Sequence, residues 1–96
     1  MGIRENYDFH SLSNEAEELV VAEIERQIPA HPELCTCSEC ILDVAAYALN
    51  MVRPRYRVSL LDSVYIQPKE RNEYLKEIRQ AVLDGILKVS TNPPHD

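Results

Sequence analysis

The stretch Cys35-Thr36-Cys37-Ser38-Glu39-Cys40-Ile41-Leu42-Asp43-Val44-Ala45-Ala46-Tyr47-Ala48-Leu49-Asn50-Met51-Val52 decides how the rest of the chain must be arranged. From Ile41 onward it is apolar at Ile41, Leu42, Val44, Ala45, Ala46, Ala48, Leu49 and Met51, with neither proline nor glycine to interrupt it. This predicts a helix from near Cys37 to about Val52, stopped by Pro54. Thr36 or Ser38 can cap it, and Thr36 with Glu39 fits a capping box. A helix that is apolar nearly all round has to be covered on several sides.

Two further helices are expected on either side. Upstream, Ser13 or Asn14 caps a helix over about Ser13 to Ile28, with Glu15, Glu17 and Glu18 in the first turn, where the helix dipole favours negative charge. Leu19, Val20, Ile24 and Ile28 give its buried stripe, and Pro29 and Pro32 end it. Downstream, Pro68 opens a long helix to about Val89, with Leu75, Ile78, Val82, Ile86 and Val89 as the apolar stripe. Gly85 weakens that helix and permits close packing. Asn92-Pro93-Pro94 ends it and leaves His95-Asp96 as a frayed tail. Residues 57–68 alternate at Val58, Leu60, Val64 and Ile66, which suits either short strands or an irregular loop. The fold class is therefore all-α, with three principal helices in one 96-residue domain whose core runs from about residue 13 to 90. Two helices give one copy of the central helix too little cover, so a homodimeric helical bundle with that helix near the interface is expected.

Charge narrows the function. The net charge is −6, with ten acids and two bases in residues 1–43, against six acids and eight bases in residues 44–96. An acidic protein is repelled by duplex DNA, so direct DNA binding is not expected. The basic residues Arg53, Arg55, Arg57, Lys69 and Arg71 leave room for a small anion. No apolar run is long enough for a bilayer span, and the polar, acidic N-terminus lacks the pattern of an export signal. A cytoplasmic location follows as an expectation. There, three cysteines point to metal or free thiols rather than disulfides.

Cys35, Cys37 and Cys40 can share one zinc ion, whose sulfur ligands sit at about 2.3 Å. The positive end of the central helix favours their thiolate forms. Zinc is the first reading, with free cysteines and a redox switch as the alternatives. A structural site needs a fourth ligand, for which His31 is the nearest candidate, followed by His10, Asp43 or a residue of a second chain. No general base accompanies the cluster, so no enzymatic activity is expected.

The central helix also carries a polar stripe. Asp43, Tyr47 and Asn50 share one face. They are either members of an internal hydrogen-bonded network or one wall of a groove that continues into Arg53, Arg55, Tyr56 and Arg57. Arginine forks match phosphate oxygens and guanine edges, and tyrosine rings stack on bases, which suits a nucleotide. The alternative for the arginines is a solvated turn that forms ion pairs with the acidic first helix.

These features carry a resemblance. Asn14-x-x-Glu17-Glu18-Leu19-Val20, then Cys35-Thr36-Cys37-Ser38-Glu39-Cys40, then Asp43-Val44-Ala45-Ala46-Tyr47-Ala48-Leu49-Asn50 and Pro54-Arg55-Tyr56 are similar to the ComFB family of bacterial late competence development proteins. The match runs from about Asn14 to Val89. It implies a small, helical, dimeric cytoplasmic protein without catalysis. In some members the cysteine cluster holds zinc, and one branch binds cyclic di-GMP and cyclic di-AMP. By that resemblance the chain would be a cyclic di-nucleotide receptor that relays its signal to an effector protein through protein contacts, with a structural zinc. The alternative is a zinc-stabilised interaction module in competence or motility. The family's all-thiolate zinc sites use four cysteines, and this chain has three. Arg53 has no counterpart in the nucleotide-binding branch.

Overall fold

Asn14 starts the fold twice over. Its extended backbone precedes the first long helix, and its Oδ1 accepts from the Ala16 amide at 3.1 Å and from the Arg55 amide at 2.8 Å. One side chain thus caps a helix and ties it to Arg55, forty-one residues away. In the computed structural model, which describes residues 2–57 and 68–95 apart from the side chains of Arg4, His10 and Arg57, four α-helices follow one another: α1 (Ile3–Asn6), α2 (Glu15–Gln27), α3 (Ser38–Met51) and α4 (Pro68–Thr91). Short 3-10 turns lie at Phe9–Ser11 and Ile28–Ala30, and Pro29 falls in the second of these, just where the α2 pattern stops.

The three long helices are those expected from periodicity, with shifts at their ends. The capping of α3 differs from expectation. Neither Thr36 nor Ser38 is the cap: Cys37 takes that position in extended conformation, and its Sγ accepts from the Cys40 amide at 3.5 Å. A sulfur in place of a hydroxyl is a poor acceptor, and the cluster described below accounts for its presence there. The stripe on α4 is also slightly rotated. Tyr74, Ile78, Ala81, Val82, Gly85, Ile86 and Val89 are buried, whereas Leu75 is only partly covered.

Among the described residues, strand is limited to a two-residue antiparallel ribbon, β1 (Ser13–Asn14) with β2 (Tyr56–Arg57), in which Ser13 faces Arg57 and Asn14 faces Tyr56. The Glu15 amide adds a bond to the Arg55 carbonyl at 2.6 Å. The alternating segment after Arg57 lies outside the described residues.

The core joins Val20 and Ile24 of α2, Cys40, Val44 and Ala48 of α3, and Ile78, Val82, Ile86 and Val89 of α4. Helices α3 and α4 run antiparallel. Tyr74 donates its hydroxyl to the Arg53 carbonyl at 2.6 Å, Gly85 lies against Val44 and Tyr47, and His95 reaches Cys40. A Cβ on Gly85 would sit 3.2 Å from the Val44 carbonyl oxygen and 3.2 Å from Tyr47 Cδ1, so its missing side chain is what lets the two helices approach. The opposite face of α3 is uncovered: Leu42 is 65% exposed, Ala46 is exposed, and Leu49 is only partly buried.

Candidate metal centre and arginine cluster

Two groups of functional side chains stand at opposite ends of the α3–α4 pair. At the start of α3, the ligand atoms of Cys35, Cys37, Cys40 and His95 all lie within 4.8 Å of one another, close enough to hold a metal ion. Cys40 is buried in the core, and its Sγ lies 3.2 Å from His95 Nε2. A tetrahedral zinc site with these donors would place neighbouring ligand atoms about 3.5–3.8 Å apart, so the donor set fits with small side-chain adjustments. Ser38 and Glu39 complete the walls of a hollow of about 410 Å³ over Cys35, Cys37 and His95.

Electrostatics within the cluster are uneven. The Cys37 backbone and sulfur hydrogen-bond to Cys35 and lower its thiol pKa. Burial, followed by the neighbouring Cys37 and Cys35 sulfurs, pushes the Cys40 thiol up to about 12. Three thiols packed this closely share little negative charge without a cation, whereas a bound metal deprotonates its thiol ligands outright.

His31 is not part of this cluster. Its Nδ1 is 2.8 Å from Glu33 Oε1, and it lines a separate hollow with Arg26, Gln27, Lys76 and Arg79. The histidine that joins the cysteines is His95, which the sequence pattern consigns to a frayed tail. Its recruitment depends on the antiparallel register of α3 and α4, which no local motif reveals.

At the far end, Arg53 and Arg55 follow α3. Their guanidiniums stand 5.6 and 5.4 Å from the Tyr74 ring centroid, within cation–π range. Arg53 pairs with Glu77 at 2.8 Å. Arg55 reaches the buried Glu15 at 3.6 Å, as does Arg71. Of the turn's arginines, Arg55 pairs with the acidic first helix as expected, whereas Arg53 pairs with Glu77 on α4 instead. The Glu77 hydrogen bond raises the Arg53 pKa further, and burial raises that of the Tyr74 phenol. Arg53, Pro54, Arg55, Glu70, Glu73 and Tyr74 enclose a hollow of about 520 Å³.

The other expected groove residues are dispersed. Tyr56 is exposed beside a different hollow, shared with Leu12, Glu17, Glu18 and Val21. Asp43 and Asn50 are exposed, and Tyr47 packs under Lys88, whose Nζ is 5.6 Å from its ring centroid; none of the three lines either hollow. Arg57 contributes its backbone to β2, and its side chain lies outside the described residues. Tyr74 and Glu15, which organise the arginines, carried no motif in the sequence.

A scaffold of three long helices with a mixed thiol–imidazole cluster defines a small helical protein with a candidate metal centre. The model of the late competence development protein ComFB family matches residues 13–93, and the chain belongs to that family. Among solved structures, it is similar to that of the late competence protein ComFB from Bacillus subtilis, with 24% identity, a TM-score of 0.69, and coverage of 85% of this chain and 91% of that one. At that identity the likeness establishes the fold. No curated protein matches. Among the described residues, no helix is long and apolar enough to cross a membrane.

Proposed function

We propose that this chain is a homodimeric receptor for a cyclic di-nucleotide, such as cyclic di-GMP or cyclic di-AMP, on a scaffold braced by zinc, and that it relays ligand binding by changing which effector protein docks. The observation that carries the reading is the pair of guanidiniums over the Tyr74 ring at the mouth of a hollow of about 520 Å³. Such a pair offers phosphate-binding forks, held in place by the buried Tyr74 ring beneath them. Glu77 and Glu15 hold these arginines in the free chain, and a phosphate diester would have to displace those carboxylates. The uncovered face of α3 supports pairing of two chains, and a two-fold ligand suits two copies of one hollow. Zinc is the metal of choice for a set of three thiols and one imidazole. It would brace the start of α3 and take no part in turnover.

A second reading is favoured by the same hollow. Glu70 and Glu73 line it, so its charge is mixed, which suits a protein-interaction module of competence or motility without a small ligand. Calorimetric titration of the full chain with cyclic di-GMP and cyclic di-AMP separates the two. The receptor reading expects saturable binding that Arg55→Ala abolishes. Absence of heat from both ligands supports the interaction module, and equal binding by Arg55→Ala moves the site away from this hollow.

A further inference from the structure

The tail after α4 is built to be held. Thr91 donates its hydroxyl to the Leu87 and Lys88 carbonyls, and the Asn92 amide closes the last turn onto Lys88. Pro93 and Pro94 then prevent further helix, and the chain bends at Asn92 and Pro94. This short arm brings His95 Nε2 to 3.2 Å from the Cys40 sulfur, fifty-five residues earlier in the chain. The three cysteines by contrast lie within six consecutive positions and need no tertiary structure to be near each other. His95 is therefore the only one of the four ligands whose place depends on α4 being docked.

We propose that His95 is the fourth ligand of the metal centre and that the bound ion acts as a clasp, fastening the C-terminal tail and the end of α4 to the start of α3 and releasing the tail when the metal leaves. The inference rests on the zinc reading above and extends it to what the metal controls. The ligand is a thiophilic divalent cation, selected by three sulfurs and one imidazole. With the ion in place, Cys37 is both helix cap and ligand, so the first turn of α3 and the tail are set by one event. Without it, the sulfur–imidazole contact that remains is made by an exposed histidine. Closing a loop of this length by a metal bridge restricts the unfolded chain far more than the short loop among the cysteines alone.

The test uses the full chain and its His95→Ala, His95→Cys and His31→Ala variants. Each is loaded with Zn²⁺, freed of excess ion by gel filtration, and assayed for bound zinc and for affinity by competition with a chelator. Co²⁺ is substituted to read the ligand field, and the histidine rings are followed by ¹⁵N NMR during Zn²⁺ addition and chelation. The clasp predicts one equivalent of zinc on the unaltered chain and affinity weakened at least about tenfold by His95→Ala, the range lost when a ligand's support is removed. It predicts recovery of affinity in His95→Cys and no change in His31→Ala. The His95 ring signals should move on zinc addition and return on chelation. His95 lies outside the core, so circular dichroism of the metal-free His95→Ala variant should match that of the unaltered metal-free chain. If the unaltered chain holds one zinc but His95→Ala binds it as tightly with an unchanged Co²⁺ spectrum, the clasp is wrong and the zinc reading stands. If the unaltered chain retains no zinc, the metal reading itself falls, and the clasp with it.

Discussion

Asn14 carries two structural roles on one side chain. Its amide oxygen serves two donors that would otherwise be left to water: the Ala16 amide at the start of α2 and the Arg55 amide at the start of the arginine turn. Asn14→Ala is expected to lose both bonds at about 1–2 kcal/mol. In a domain of this size that corresponds to a fall of roughly 5–15 °C in Tm. Asn14→Asp, which keeps the accepting oxygen, should melt close to the unaltered chain. Thermal melts followed at 222 nm decide the matter, and an unchanged midpoint for the alanine variant would remove the clamp from the account. At this scale the sequence was informative wherever chemistry is local. A cap at Ser13 or Asn14, of which the structure uses Asn14, the acids of the first turn and the three cysteines could be read directly. What could not be read was the second use of each residue. Asn14 as a strap, Glu15 as the buried partner of Arg55 and Arg71, and His95 as a neighbour of Cys40 all depend on contacts between distant segments.

Elements were legible in proportion to their length. The repeats in α2, α3 and α4 extend over several turns, so their faces could be assigned from spacing. The ribbon at 13–14 and 56–57 could not, because two residues are too few to show alternation. How closely the helices approach turns on Gly85. Replacing it with alanine raises intrinsic helix propensity by about 1 kcal/mol. The new methyl group, however, would lie 3.2 Å from a backbone oxygen of α3, which cannot swing aside as a side chain can. Displacing a packed helix in this way typically costs about 1–3 kcal/mol. Crowding should therefore win, with Gly85→Ala less stable by about 1 kcal/mol and Gly85→Val worse still. Urea titration measures this directly. A higher midpoint for Gly85→Ala would mean that α3 yields easily and that the glycine is present for some other reason.

For the whole molecule, the question is what covers the outer side of α3. One chain buries Cys40, Val44 and Ala48 against its own helices and leaves Leu42 65% exposed, in line with Ala46 and Leu49. Fully covering a leucine stabilises by about 1.5–3 kcal/mol, so a pair of chains meeting along this helix gains at each copy of the face. The sequence raised this pairing from the apolar circumference of the central helix. The structure supplies the residue on which it can be tested. Leu42→Glu leaves the core of each chain untouched but places two like charges near a two-fold axis, where repulsion and desolvation both oppose association. Sedimentation equilibrium should then show the unaltered chain as a dimer at micromolar concentration and Leu42→Glu as a monomer of unchanged helicity. If cyclic di-nucleotide binding needs both copies of the arginine hollow, the same substitution should abolish it without touching Arg53 or Arg55. A Leu42→Glu variant that still sediments as a dimer would place the contact on another face, and one that is monomeric yet binds ligand normally would confine the site to a single chain.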